Sequence, residues 1–257
     1  MKDLDAINPA FAKPSSFVSV TAALPLIISA CCLALANGAA ESVPLQQNPI
    51  SILCILIAGL SFVLLFLPRI LKWDWRARYF GVSTLYMASV AMFGGIPWLC
   101  ILFYSSAPIF LRGLLFLSYV YLLAYWGFRF VNLYRYIYVD TKMRAQIYQE
   151  DVDCIYYLQK GDTALLGKRL KFKQFPPSIL FVLFGIAACL TIIFGKSLVA
   201  FFGLPVVHLF LAVGAIPLDM LAIGLAVRGW MIFYCLPARL NRELGKQVYV
   251  DLVAKLK

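Results

Sequence analysis

A single histidine, His208, stands among 257 residues, and only 12 of them are acidic. That scarcity excludes most ways of building a catalytic centre. No Ser/His/Asp set can be assembled around one histidine at a remote position, and no glycine-rich turn cradles a phosphate. The seven cysteines form no Cys-x-x-Cys pair. Cysteines 31, 32, 54, 100 and 189 lie in apolar runs, Cys154 in a polar stretch and Cys235 beyond the last run. Zinc or iron–sulfur ligation needs clustered ligands. The expectation is therefore no metal and no cofactor, with the cysteines serving as small packing residues.

Charge is sparse too, at 14% of residues, whereas 63% are hydrophobic and the mean hydropathy is +0.85. A soluble domain is about 45–50% apolar and about 25% charged. This excess cannot be hidden in one aqueous core, and the bilayer is its natural solvent. Crossing about 30 Å of hydrocarbon at 1.5 Å per residue takes about 20 apolar residues. Six runs qualify: 17–36, 50–67, 79–104, 108–128, 179–194 (adequate if extended through Lys196 to Phe202) and 206–227. Lipid offers the backbone no partners, so each should be helical.

The expected fold class is an all-α polytopic membrane protein with six transmembrane helices. Its parts are an N-terminal tail 1–16, helices one to four within 17–128, a basic and aromatic loop 129–178, helices five and six within 179–227, and a tail 228–257. No proline or glycine interrupts the chain between Gly127 and Gly161. The fourth helix should therefore run out of the membrane, and the loop should be helical.

Basic residues orient the chain. Of the 23 lysines and arginines, all but Arg112 and Lys196 fall on one side. The positive-inside rule then places both termini in the cytoplasm, most naturally of a bacterial inner (plasma) membrane. Trp73, Trp75, Trp126, Trp230 and tyrosines 134, 136 and 138 sit near that boundary, as an aromatic belt should. Ile28-Ser29-Ala30-Cys31 and Ala34-Leu35-Ala36 have the form of cleavage sites, but the apolar run starts only at Phe17 and continues past Cys31, so a retained first span is expected. The densest basic patch is Lys168, Arg169, Lys171 and Lys173, alternating with apolar residues just before Pro176-Pro177. Its position suits anionic inner-leaflet lipid, and nucleic acid is not expected as a partner.

Asp219 sits near the centre of the sixth run, where an aspartate costs about 2.5–3.5 kcal/mol to insert. It must be protonated, paired or facing water. His208 lies on the same helical face but roughly 16 Å away along the axis. Gly94-Gly95-Ile96-Pro97 in the third run echoes Gly214-Ala215-Ile216-Pro217 in the sixth, just before Asp219. Each tetrad should interrupt its helix. Matched broken helices in inverted halves of three would point to a transport site, with Asp219, His208, Gly94, Gly95, Pro97, Gly214 and Pro217 as its residues.

Two further features lie outside the runs. Glu150, Asp151 and Asp153 form an acidic segment that balances nearby lysines. In the tail, Leu240, Leu244, Val248, Leu252 and Leu256 recur every four residues among basic side chains, the pattern of an amphipathic helix for a membrane surface or a partner helix. No nucleophile or acid–base pair can be assembled, so an enzyme is not expected. The preferred reading is a non-catalytic membrane protein acting through a protein partner or as a homo-oligomer. It would be a subunit of a secretion or conjugation assembly, or an immunity protein against a membrane-active toxin. The alternative is a small solute or ion transporter using Asp219.

Overall fold

Proline and asparagine set the boundaries of the first passes. In the computed structural model, which describes residues 14–40 and 43–251, α1 (Pro14–Thr21) and α2 (Ala23–Ala39) continue as one 26-residue apolar rod. Pro25 cannot donate to the Thr21 carbonyl, and the turn at Ala22 falls in that gap. After a 3-10 turn at Leu45–Gln47, Asn48 caps α3 (Pro49–Ile70). Its side-chain oxygen accepts from the Ile50 and Ser51 amides at 3.0 and 3.2 Å, with Pro49 in the first helical position. The same side chain donates to the Ala36 carbonyl at 3.1 Å and accepts from the Tyr104 hydroxyl at 2.8 Å. One buried amide thus fastens three passes at one end.

The third pass is α4 (Ala77–Leu85), a 3-10 stretch at Tyr86–Ala91, and α5 (Met92–Tyr104). The fourth, α6 (Ile109–Val139), has 31 residues, about 47 Å at the helical rise, and so outruns the hydrocarbon as expected. Next come α7 (Thr141–Ile147), β1 (Tyr148–Glu150), β2 (Cys154–Leu158), α8 (Gln159–Ala164) and a π turn at Leu165–Arg169. The chain returns through α9 (Ser178–Ile193), α10 (Gly195–Phe202), α11 (Val206–Gly214) and α12 (Ile216–Trp230). A π turn at Met231–Cys235 leads into α13 (Leu236–Leu244) and β3 (Gln247–Asp251).

Among the described residues, five helices are long and apolar enough to cross a membrane, and a sixth crossing is counted if α9 and α10 are taken together. Those two are bent by 85°, so the expected extension through Lys196 to Phe202 adds no length to the crossing. Ser106 holds the turn after α10, its amide and hydroxyl donating to the carbonyls of Phe202 and Phe201 at 2.8 Å. Large apolar side chains face outward along the helices, among them Leu56 at 64%, Leu117 at 65% and Ile193 at 71% exposure. Water would not tolerate that surface; hydrocarbon does. The chain is a multi-pass, mainly helical membrane protein.

The purely helical expectation fails outside the bundle. Residues 148–158 and 247–251 form a three-stranded sheet in the order β1-β2-β3. β1 and β2 are antiparallel, with Tyr148 opposite Tyr157, while β3 lies parallel to β2, with Ile155 opposite Val248 and Tyr157 opposite Val250. Alternation explains it: Ile155, Tyr157, Val248 and Val250 are buried on one face, the period of a strand and not of a helix. The expected tail helix ends at Gly245, whose φ of +69° is the left-handed cap that stops α13. Leu240 and Leu244 are helical, Val248 is in a strand, and Leu252 and Leu256 lie outside the described residues. The Trp75 carbonyl accepts from the Val250 amide at 2.9 Å, so the turn after the second pass joins the same lobe.

The largest core lies where this lobe meets the bundle. Trp126, Phe130 and Tyr134 repeat at four-residue spacing on α6 and are almost wholly buried. They pack within one cluster with Leu165, Leu166, Ile232 and Leu236.

Candidate functional site

Among the described residues two aspartates are wholly buried, one within the bundle and one beneath the lobe. Asp219 occupies the first turn of α12. Ala215 separates α11 from α12, so the second tetrad does interrupt its helix, and Pro217 takes an early position where no amide donor is needed. The Tyr119 hydroxyl on α6 donates to Asp219 Oδ2 at 3.0 Å, while Oδ1 has no partner among the described residues. Gly94 lies directly against the carboxylate: a Cβ there would overlap Oδ2. At Gly95 a Cβ would sit 3.5 Å from the Tyr119 hydroxyl oxygen, and the Trp98 ring stacks on Tyr119 with centroids 5.5 Å apart.

The structure therefore brings Gly94, Gly95 and Asp219 together, and adds Tyr119. It does not bring the rest. His208 Nε2 pairs with the Leu35 carbonyl on α2 at 2.8 Å, and its Nδ1 is unpartnered among the described residues. Gly214 faces Ala188 on α9, where an added Cβ would lie 3.1 Å away. Pro97 is buried within α5, which stays helical through it, so the first tetrad does not interrupt its pass; the irregular turns come earlier, at 86–91. The two tetrads are thus alike in sequence and unlike in structure.

The second centre was not visible as a site in the sequence. Asp162 on α8 and Arg228 on α12 form an ion pair of 2.6 Å, with Asp162 fully buried and the arginine side chain 15% exposed. The Tyr134 hydroxyl donates to Asp162 Oδ1 and the Tyr157 hydroxyl to Oδ2, each at 2.8 Å. Arg228 also donates through Nε to the Tyr134 oxygen at 3.1 Å and to the Gln174 side chain at 2.8 Å. Both carboxylate oxygens are used, and the network joins α6, β2, α8, the segment before α9, and α12. Burial holds the Tyr157 phenol well above its ordinary range, with the Asp162 charge adding to it; burial does the same at Tyr148, which donates to the Ile232 carbonyl at 2.6 Å. Such a saturated ionic cluster orients and locks.

Lys168, Arg169, Lys171 and Lys173 are all exposed, while Phe172 between them turns inward onto Phe130 at 5.2 Å. Glu150 pairs with Lys246 at 2.7 Å and Asp151 offers its carbonyl to the same ammonium at 2.8 Å. Of the tail residues, Leu240 and Val248 are buried within the protein's own lobe and Leu244 is exposed. They therefore do not form one external docking stripe. Among the described residues, no three His, Cys, Asp or Glu side chains converge as metal ligands.

No protein-family model, no curated protein and no solved structure matches this chain. Its chemistry rests on its own geometry.

Proposed function

We propose that the protein is a non-catalytic component of a bacterial inner-membrane assembly, acting through a protein partner that docks on its cytoplasmic lobe. The observation that carries this reading is the lobe itself: three separate stretches of chain folded together at one end of the bundle. It is locked by the Asp162–Arg228 pair and carries exposed apolar side chains, with Val152 at 82% and Val139 at 79% exposure. Exposed apolar tips on a rigid support are what a partner surface needs. Arg76, Lys142, Lys168 and Lys246 belong to this end, and the positive-inside rule supports a cytoplasmic lobe.

The test is affinity purification from native membranes in mild detergent with Val152→Asp. Because Val152 is exposed, this change leaves the fold intact, and it should remove a stoichiometric partner that Asp219→Asn retains. Unchanged recovery of every associated protein in Val152→Asp would reject the docking role. Reporters fused at Glu41 and after Asp251 should report opposite sides of the membrane.

One observation favours transport as a second reading. Asp219 Oδ1 is buried with no donor among the described residues, as a proton- or cation-binding oxygen would be. Two cavities at the lobe end, of about 470 and 350 Å³, do not include Asp219 in their walls. In proteoliposomes this reading requires a proton- or cation-dependent flux that Asp219→Asn abolishes.

A further inference from the structure

The wall of the cavity between α4 and α13 carries charge of one sign. It encloses about 470 Å³ and is lined by 11 residues, of which Arg76, Arg78 and Arg242 are charged and none is acidic. Phe233, Tyr234 and Pro237 supply an apolar side, and Asn241 and Gln247 add amides. Among the described residues lining it, only Arg76 has a carboxylate partner, Asp74 at 3.0 Å, outside the cavity wall. Among the described residues, Arg78 and Arg242 form no ion pair: Arg78 lies over the Tyr79 ring at 4.8 Å, and Arg242 donates to the Ala238 carbonyl at 3.3 Å. The nearby acids are engaged elsewhere, Glu243 facing Arg144 at 3.8 Å and Glu150 paired with Lys246.

Two further features agree in sign and depth. Arg76, the N-cap residue of α4, makes no side-chain cap; the Asp74 carboxylate accepts from the Arg76 amide at 3.0 Å, and the first helical residues, Ala77 and Arg78, line the same cavity. Uncapped amides there favour an anion. Two stacked aromatic pairs adjoin lining residues: Trp73 on Tyr79 at 4.9 Å, Tyr79 being next to Arg78, and Trp230 on Tyr234 at 4.8 Å, Tyr234 itself lining the cavity. Such rings settle at the headgroup level of a bilayer. None of the side chains in the basic patch at 168–173 lines this cavity.

We propose that this cavity binds a phosphate group, supplied by the headgroup of an anionic phospholipid. Guanidinium forks match phosphate oxygens two at a time, and three of them around one apolar-floored recess fit a phosphodiester with its glycerol above Phe233 and Tyr234. A zwitterionic headgroup would bring its own ammonium against the arginines. The inference requires only that this end of the bundle lie at a membrane surface, and it stands or falls apart from the partner reading.

The experiment is native mass spectrometry of the full chain released from membranes containing equal phosphatidylglycerol and phosphatidylcholine. The expected result is retention of phosphatidylglycerol over phosphatidylcholine by about tenfold. Arg78→Ala with Arg242→Ala, both at exposed positions, should bring the ratio near one. Arg78→Lys with Arg242→Lys should leave it intermediate, because charge is kept and the fork is lost. A parallel titration with glycerol 1-phosphate separates the sources: displacement only at millimolar concentration supports the lipid, whereas tight binding without retained phosphatidylglycerol overturns the lipid source. Equal retention of the two lipids by the unaltered chain, or an unchanged ratio in the double alanine variant, overturns the proposal.

Discussion

Asp162 and Asp219 have the same side chain and the same complete burial, yet their surroundings differ in kind. Asp162 has a guanidinium, two phenols and no idle oxygen. Asp219 has one phenol, a glycine backbone pressed against it and an oxygen with no donor among the described residues. The first arrangement ties parts of the chain that are far apart in sequence. The second closes a crossing between the third and last passes, where only glycine leaves room. Buried carboxylates are therefore no single kind of feature here: the charge-paired one holds the architecture, and the sparsely paired one is where chemistry remains open.

Removing either partner of the ionic pair should have the largest effect. Asp162→Ala or Arg228→Ala leaves a buried charge unpaired, at a cost of about 3–5 kcal/mol. Denaturant titration in detergent, read by protease sensitivity of the 148–158 hairpin, should show the loss. Asp162→Leu with Arg228→Met should recover most of it. Next comes Gly94→Leu, which drives a side chain into Asp219 and should cost about 1–3 kcal/mol by overpacking, visible as a lower midpoint without loosening of the lobe. Tyr119→Phe should cost about 1 kcal/mol, the worth of one hydrogen bond. Asp219→Asn should cost no more than that. If it proved as damaging as Asp162→Ala, the contrast between the two centres would collapse.

The mildest effect is at alkaline pH. Tyr148 and Tyr157 are held well above the ordinary value of 10.0 by burial, so the folded lobe keeps protons that the unfolded chain releases. Stability is accordingly full below about pH 10 and falls as the pH rises beyond it. The tyrosinate absorbance owed to these two phenols, isolated as the difference from a Tyr148→Phe, Tyr157→Phe variant, should rise together with protease cleavage of the hairpin, and not before it.

The apolar helices were legible because lipid demands long uniform runs, and nothing in 50–67 or 108–128 competes with that demand. The lobe was not. The Leu240, Leu244, Val248, Leu252 spacing suggests one helix only if Gly245 is passed over; Gly245 and the Val248-Tyr249-Val250 triplet were the available signs of a stop followed by a strand. Cys154-Ile155-Tyr156-Tyr157-Leu158 is likewise a short run rich in strand formers, hidden by the absence of proline or glycine around it. Gly94 and Asp219 could be suspected as neighbours because the tetrads are unusual in apolar sequence. Tyr119 could not, being one tyrosine among 14. Asp162 went unnoticed because its meaning depends on Arg228, which no local pattern connects to it.

The parallel pairing of β2 with β3 has a consequence for biogenesis. Leu158 and Gln247 are separated by all the remaining transmembrane segments, so the hairpin of β1 and β2 leaves the ribosome long before the strand that completes its sheet. Until then one edge of β2 stays open to the proteases and chaperones of the cell. Closure of that edge marks a chain whose insertion is finished, and nascent chains that stall before β3 should be cleared quickly.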